Sequence, residues 1–229
     1  MLVDDIITEL KKHASPKALA AQKNFGITVE NRLGLTTPQM RSIAKKVGTN
    51  HPLALQLWKT KIHEARHIAC MIADPALTTE KMIEQWLKDF NSWDIVDDGC
   101  ASLFRKTTFA YAKALEWTTR EKEFEKRAGF TMMAVLAVHD KKADDLQMEQ
   151  FFEHILRESS DGRNFVRKAV NWALRQIGKR NERLCKKAIL VAKKIKLKND
   201  PSSKWIATDA LRELEKYLKE GKIKKVGTK

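Results

Sequence analysis

The chain has 229 residues, 43% of them hydrophobic, with nine glycines and five prolines, a balance that allows a real core and argues against a disordered polymer. Lys and Arg number 44 against 29 Asp and Glu, and the formal charge of +15 makes nucleic acid the leading partner. Three scattered cysteines, Cys70, Cys100 and Cys185, form no C-x-x-C pair, so a disulfide framework and a cysteine zinc site are both disfavoured and a reducing cytoplasm fits best.

The N-terminal MLVDDIITELKK carries acids where a signal peptide would carry a basic region, and no stretch approaches the ~20 apolar residues of a membrane span. A soluble cytoplasmic protein with no membrane partner is expected. Ser15-Pro16 and Thr37-Pro38 each place a capping residue before a proline, while Gly26, Gly48 and Gly178 mark helix ends. Between these marks apolar residues recur at three and four with hardly any alternation, which predicts an all-α chain of about a dozen helices.

Residues 63–67, HEARH, satisfy H-E-x-x-H, a pattern that on a helix offers two imidazoles to zinc and a glutamate as general base. The longer form of the pattern fails, because Cys70 and Ala73 stand where its glycine and third histidine belong. Glu80 and Glu84 follow, but as acids opening a new amphipathic helix after a Thr79 cap. The expectation is therefore a repeat helix with ordinary surface histidines and no metal.

In NSWDIVDDGCASLF, residues 91–104, Asn91 or Ser92 caps a helix whose inner side is Ile95, Val96, Gly99 and Leu103. Trp93 and Asp97, four apart, share a neighbouring face. The helix dipole accounts for Asp94 and Asp98; for Asp97 it competes with a functional reading, since a carboxylate beside an indole on a DNA-facing surface repels phosphate.

ALQLWKTKIHEARHIACMIAD (54–74) is echoed by ALEWTTREKEFEKRAGFTMMAVL (114–136), and FVRKAVNWALRQI (165–177) repeats the second half. Helix pairs of about 40 residues that bury a face against their neighbours are the sequence sign of a HEAT-like solenoid, an α-α superhelix whose concave side binds. Arg127 opens the evenly apolar RAGFTMMAVLAV, so its guanidinium is either buried and paired or aimed into a cleft. On the helix starting near Arg163, Val166, Val170, Ala173, Leu174 and Ile177 make the core side. Trp172 points away with Lys168, Arg175 and Lys179, suited to stacking on a nucleotide unless another helix covers it.

Arg163 to Lys198 holds thirteen Lys or Arg and one acid, Glu182, either a nucleic-acid face or a solvated basic one. No linker interrupts residues 1–220, so one continuous domain over 1–229 is expected, with residues 222–229 a frayed basic tail.

WDIVDD, then KRAGF, then VRKAVNWALRQIGKRN resemble the AlkD family of HEAT-like-repeat DNA alkylation repair proteins, which includes alkylpurine DNA glycosylases. The likeness runs from about Gly34 to Leu214. It implies pocket tryptophans at Trp93 and Trp172, a catalytic aspartate at Asp97 and a DNA-contacting arginine at Arg127, and it implies a basic concave face. The N-terminal helices look short for the family's glycosylases, and some members bind DNA without excising.

Hydrolysis of the N-glycosidic bond of a cationic N3- or N7-alkylpurine suits this set. Two indole faces attract the lesion for ~0.5–2 kcal/mol each, and Asp97 stabilises an oxocarbenium-like sugar or positions water. Arg127 holds a phosphate near the lesion, and Lys168, Arg175, Lys179 and Arg180 fasten the flanking duplex without reading sequence. No cofactor or metal is needed, and a monomer acting on duplex DNA that contains alkylated purines is expected. The competing readings are a non-catalytic binder of damaged or branched DNA and a protein scaffold with an acidic partner.

Overall fold

A computed structural model describes residues 1–221, which form fourteen α-helices, two 3-10 turns and no strand. The expected tail at 222–229 lies outside the described residues. Where the sequence suggested one continuous domain, contacts gather into two compact units, 1–109 and 110 onward.

The first unit holds α1 (Val3–Lys12), α2 (Pro16–Asn24), α3 (Thr37–Val47), α4 (His51–Lys59), α5 (His63–Ile72), α6 (Glu80–Lys88), α7 (Trp93–Ser102) and η1 (Phe104–Lys106). Its centre is α5, which packs against α1, α3, α4 and α7 and buries Ala65, Ile68, Ala69 and Cys70 completely. The predicted punctuation largely stands. The Ser15 hydroxyl accepts from the Ala18 amide ahead of α2, and Thr79 accepts from Met82 ahead of α6. The α3 cap is Thr36 rather than Thr37, because Gln39 Oε1 accepts from both the Thr36 amide and hydroxyl at 2.8 Å.

The second unit holds α8 (Ala110–Glu116), η2 (Trp117–Thr119), α9 (Glu123–His139), α10 (Asp145–Glu149), α11 (Phe151–Glu158), α12 (Asn164–Gly178), α13 (Glu182–Lys196) and α14 (Pro201–Lys219). The evenly apolar run predicted to be enclosed is α9, buried from Ala128 to Ala137 between α8 and α12. All five residues predicted for the inner side of α12, from Val166 to Ile177, are fully buried.

Gly178 does not end its helix by a left-handed turn, as Gly26 and Gly48 do at φ 81 and 70. It closes α12 by packing, since a Cβ there would lie 2.7 Å from Leu214 Cδ2 and 2.9 Å from the Ala188 methyl.

The sequence echo maps onto two helix pairs, α4–α5 and α8/η2–α9, with Trp58 and Trp117 buried at equivalent places. Side-chain pairing shows how the later helix of each pair is laid down. Asn171 meets Asp209 and Arg175 meets Glu213, both 38 residues on, and in the first unit His63 meets Asp94 and His67 meets Asp98, both 31 residues on. A constant offset along two helices requires that they run in the same direction. So α5 is parallel to α7 and α12 to α14, the arrangement that stacked helix pairs produce.

Candidate functional site

Within the first unit the candidate site is the start of α7. Ile95, Val96, Gly99 and Leu103 are buried as predicted. Gly99 admits the close approach, because a Cβ would sit 2.8 Å from Phe90 Cζ. This seating leaves Trp93 and Asp97 partly exposed on a neighbouring face, one turn apart. The Trp93 indole N–H donates to the Phe25 carbonyl at 2.9 Å, which fixes the ring at the head of the helix.

Asp94 and Asp98, assigned from sequence to the helix dipole, instead face two buried histidines. His63 and His67 are 5% and 4% exposed, not the surface residues expected, and Asp94 supplies the third ligand-type group that HEARH lacks along its own helix. His63 Nε2 lies 2.8 Å from Asp94 Oδ2, and His67 Nδ1 lies 2.8 Å from Asp98 Oδ2. Burial alone would lower the His67 pKa, but the hydrogen bonds to Asp94 and Asp98 outweigh it and push it up to about 10. Burial likewise opposes the charge on Asp94, yet His63 and His67 hold it well below the usual carboxylate range.

Glu64, the would-be general base of the zinc motif, is 1% exposed and accepts from the Leu33, Gly34 and Leu35 amides at 2.7–3.3 Å. Its carboxylate anchors the 33–35 loop.

The second unit holds the other predicted site residues, and α9 and α12 position them. Of the two alternatives for Arg127, buried and paired is the one found: it is 5% exposed and donates to the Phe165 carbonyl at 2.7 Å. Glu123, one turn earlier, accepts from the Phe165 amide at 3.1 Å, so α9 grips a single residue in the first turn of α12 from both sides.

Trp172 is partly exposed. With the Gln176 amide oxygen turned toward the donors, it accepts from the indole N–H at 3.1 Å and from Lys179 at 3.3 Å. Another helix does cover part of this face. Arg175 pairs with Glu213 of α14, and Lys179 Nζ is 2.6 Å from the same carboxylate. Arg180 donates to the carbonyls of Ala137, Asp140 and Ala143 at 2.7–2.8 Å, a task of closing the end of α9 that the sequence did not suggest. Lys168 is exposed, as are Lys193, Lys194 and Lys196 on α13.

The family model for DNA alkylation repair enzymes matches residues 6–214. The chain belongs to that family. No curated protein matches it. A solved structure is similar over 98% of this chain and 97% of its own, with a TM-score of 0.80 at 20% identity. It is described as one of "a new family of proteins related to the HEAT-like repeat DNA glycosylases with affinity for branched DNA structures". The fold of this family member is thus all-helical and HEAT-like, as its sequence suggested, and no helix among the described residues is long and apolar enough to cross a membrane.

Chemically, the first unit presents an aromatic face beside a carboxylate, and the second presents an indole on a helix rimmed by cations. The sequence singles out Trp93, Asp97 and Trp172 because each stands off its helix's core stripe. Sequence reasoning missed His63, His67, Asp94 and Asp98 as one cluster. Their signal was present as two i,i+4 pairs, H-x-x-x-H and D-x-x-x-D.

Proposed function

We propose that this protein binds duplex DNA and hydrolyses the N-glycosidic bond of cationic alkylated purines. The observation that carries the reading is the partly exposed Trp93–Asp97 pair at the start of α7, in a chain belonging to a family of DNA alkylation repair enzymes. In this reading the Trp93 ring of the first unit attracts the cationic base through its negative face, and the Trp172 ring of the second unit is a stacking face for DNA. Asp97 stabilises positive charge on the sugar as the bond breaks, or orients the water that captures it. Arg127 acts through its bond to the Phe165 carbonyl, fixing the start of the helix that carries Trp172 and Lys168. Lys168 anchors flanking backbone, Arg175 and Lys179 add to it from beside Glu213, and Arg180 serves the fold by holding the carbonyls of Ala137, Asp140 and Ala143.

Single-turnover release of 7-methylguanine from duplex DNA tests this. Asp97→Asn keeps the size of the group and removes its charge, so excision slows at least about a hundredfold, some 2.7–4 kcal/mol of barrier, while binding to intact duplex holds or improves. Equal rates for wild type and variant would remove Asp97 from catalysis.

The similar solved structure's affinity for branched DNA favours a second reading, non-catalytic recognition of branched or damaged DNA on the same fold. Absence of release by wild type on several N3- and N7-alkylpurines, with tighter binding to a four-way junction than to linear duplex, would favour it.

A further inference from the structure

We propose that His63, His67 and Asp94 bind one divalent transition-metal ion of the zinc class, with Asp98 and Ser92 as outer partners, and that the ion ties α5 to the first turn of α7. All three residues lie within the first unit, and the inference stands apart from the catalytic reading of Asp97.

Convergence of donor atoms is the first ground. His63 Nε2, His67 Nε2 and Asp94 Oδ2 form a triangle with edges of 2.8, 3.3 and 3.4 Å. Zinc–nitrogen and zinc–oxygen bonds of about 2.0–2.2 Å in tetrahedral geometry place neighbouring ligands about 3.3 Å apart, so an ion just off the plane of this triangle reaches all three. Two imidazole nitrogens do not face each other and a carboxylate at such spacing without a positive centre among them, and that centre is either a proton or a metal ion.

The outer contacts favour metal. The Nδ1 of His67 lies 2.8 Å from Asp98 Oδ2, and a carboxylate there holds the proton on Nδ1 and turns the Nε2 lone pair into the triangle, as outer carboxylates do for metal-bound histidines. Asp98 is itself steadied by the Ser102 hydroxyl at 2.7 Å, and the Ser92 hydroxyl bonds the other oxygen of Asp94. Every inner donor except His63 thus has a second group orienting it. The histidines are buried while Asp94 is 20% exposed on its side chain, which leaves an edge by which an ion can enter.

The role is structural. A hydrolytic zinc of the H-E-x-x-H kind needs the glutamate as base, and Glu64 is held by three backbone amides of the 33–35 loop. What an ion here would hold is the turn that carries Trp93 and, one turn on, Asp97.

The test uses the untagged full chain, stripped with a chelator and titrated with Co2+ and with Zn2+. One equivalent of Co2+ should give the intense visible bands of a low-coordinate site, and one equivalent of Zn2+ should displace it and raise the melting temperature. Asp94→Asn and His67→Gln should abolish the bands, and Asp98→Asn should weaken binding by about 10–100-fold without abolishing it. Absence of stoichiometric binding by wild type, or identical binding by wild type and Asp94→Asn, would overturn the site. Should His67→Gln fail to fold, the comparison of wild type with Asp94→Asn and Asp98→Asn decides alone.

Discussion

Glu64 illustrates how a residue's neighbours in sequence can mislead about its work. In HEARH it reads as a base beside two zinc ligands; in the fold it closes the 33–35 loop onto α5 by accepting three amides from about thirty residues earlier. Hydrogen bonds to a buried charge contribute about 1.5–3 kcal/mol each when removed singly, and they overlap when one carboxylate serves several donors. Glu64→Gln, which sets an amide N–H2 against backbone N–H groups, is therefore expected to destabilise the protein by about 3 kcal/mol, read by urea denaturation. Base release per folded molecule should stay at the wild-type rate. A stable Glu64→Gln with reduced release would return the residue to the chemistry. At this scale the sequence was informative where a side chain stood off its own helix's core stripe, as with Trp93, Asp97 and Trp172. It was silent where the partner lay on another helix. The dipole account of Asp94 and Asp98 was sufficient locally and displaced only by imidazoles 31 residues away.

At the scale of elements, capping marked the starts of α2, α3, α6 and α7 and periodicity the inner faces of α7 and α12, because a face that needs burial repeats on the helix's own period. What they could not supply is which faces meet. Gly129 is the clearest instance: inside the apolar run of α9 it reads as a weak point, since glycine costs a helix interior ~1 kcal/mol relative to alanine. The packing reverses the sign. A Cβ on Gly129 would lie 2.7 Å from the Thr118 amide nitrogen, 3.0 Å from the Trp117 carbonyl carbon and 3.1 Å from the Ala114 oxygen, all backbone atoms of α8 and η2. Backbone yields less readily than a side-chain tip, so Gly129→Ala should lose about 1–2 kcal/mol net despite its better helix propensity, with the denaturant midpoint falling accordingly. A raised midpoint would mean that η2 separates from α9 at little cost. Gly178 marks a helix end in the sequence and closes α12 in the fold, but a positive-φ turn and a close helix contact both select glycine, and only the packing against Leu214 and Ala188 tells which applies.

For the whole molecule the decisive quantity is charge, and the sequence reports its amount without its availability. The +15 excess and the run from Arg163 to Lys198 suggest a polyanion partner, yet several of those cations already have work inside the protein. Arg175 and Lys179 share Glu213, and Arg180 closes the end of α9 through three carbonyls, whereas Lys168 stands exposed on the helix that carries Trp172. A cation that contacts phosphate releases counterions, and losing it flattens the slope of log affinity against log salt by about 0.9 per contact on duplex DNA. Lys168→Ala should therefore lower that slope by about one unit with little change in melting temperature. Arg180→Ala should do the reverse, lowering the melting temperature because three carbonyls lose their donor while leaving the slope nearly unchanged. Arg175→Ala should fall between, since it frees Glu213 from one partner while Lys179 still holds it. Fluorescence anisotropy on one lesion-bearing duplex across a salt series, with melts alongside, separates the three. A Lys168→Ala slope equal to wild type would move the phosphate contacts off α12, and the exposed Lys193, Lys194 and Lys196 of α13 would be the next to remove.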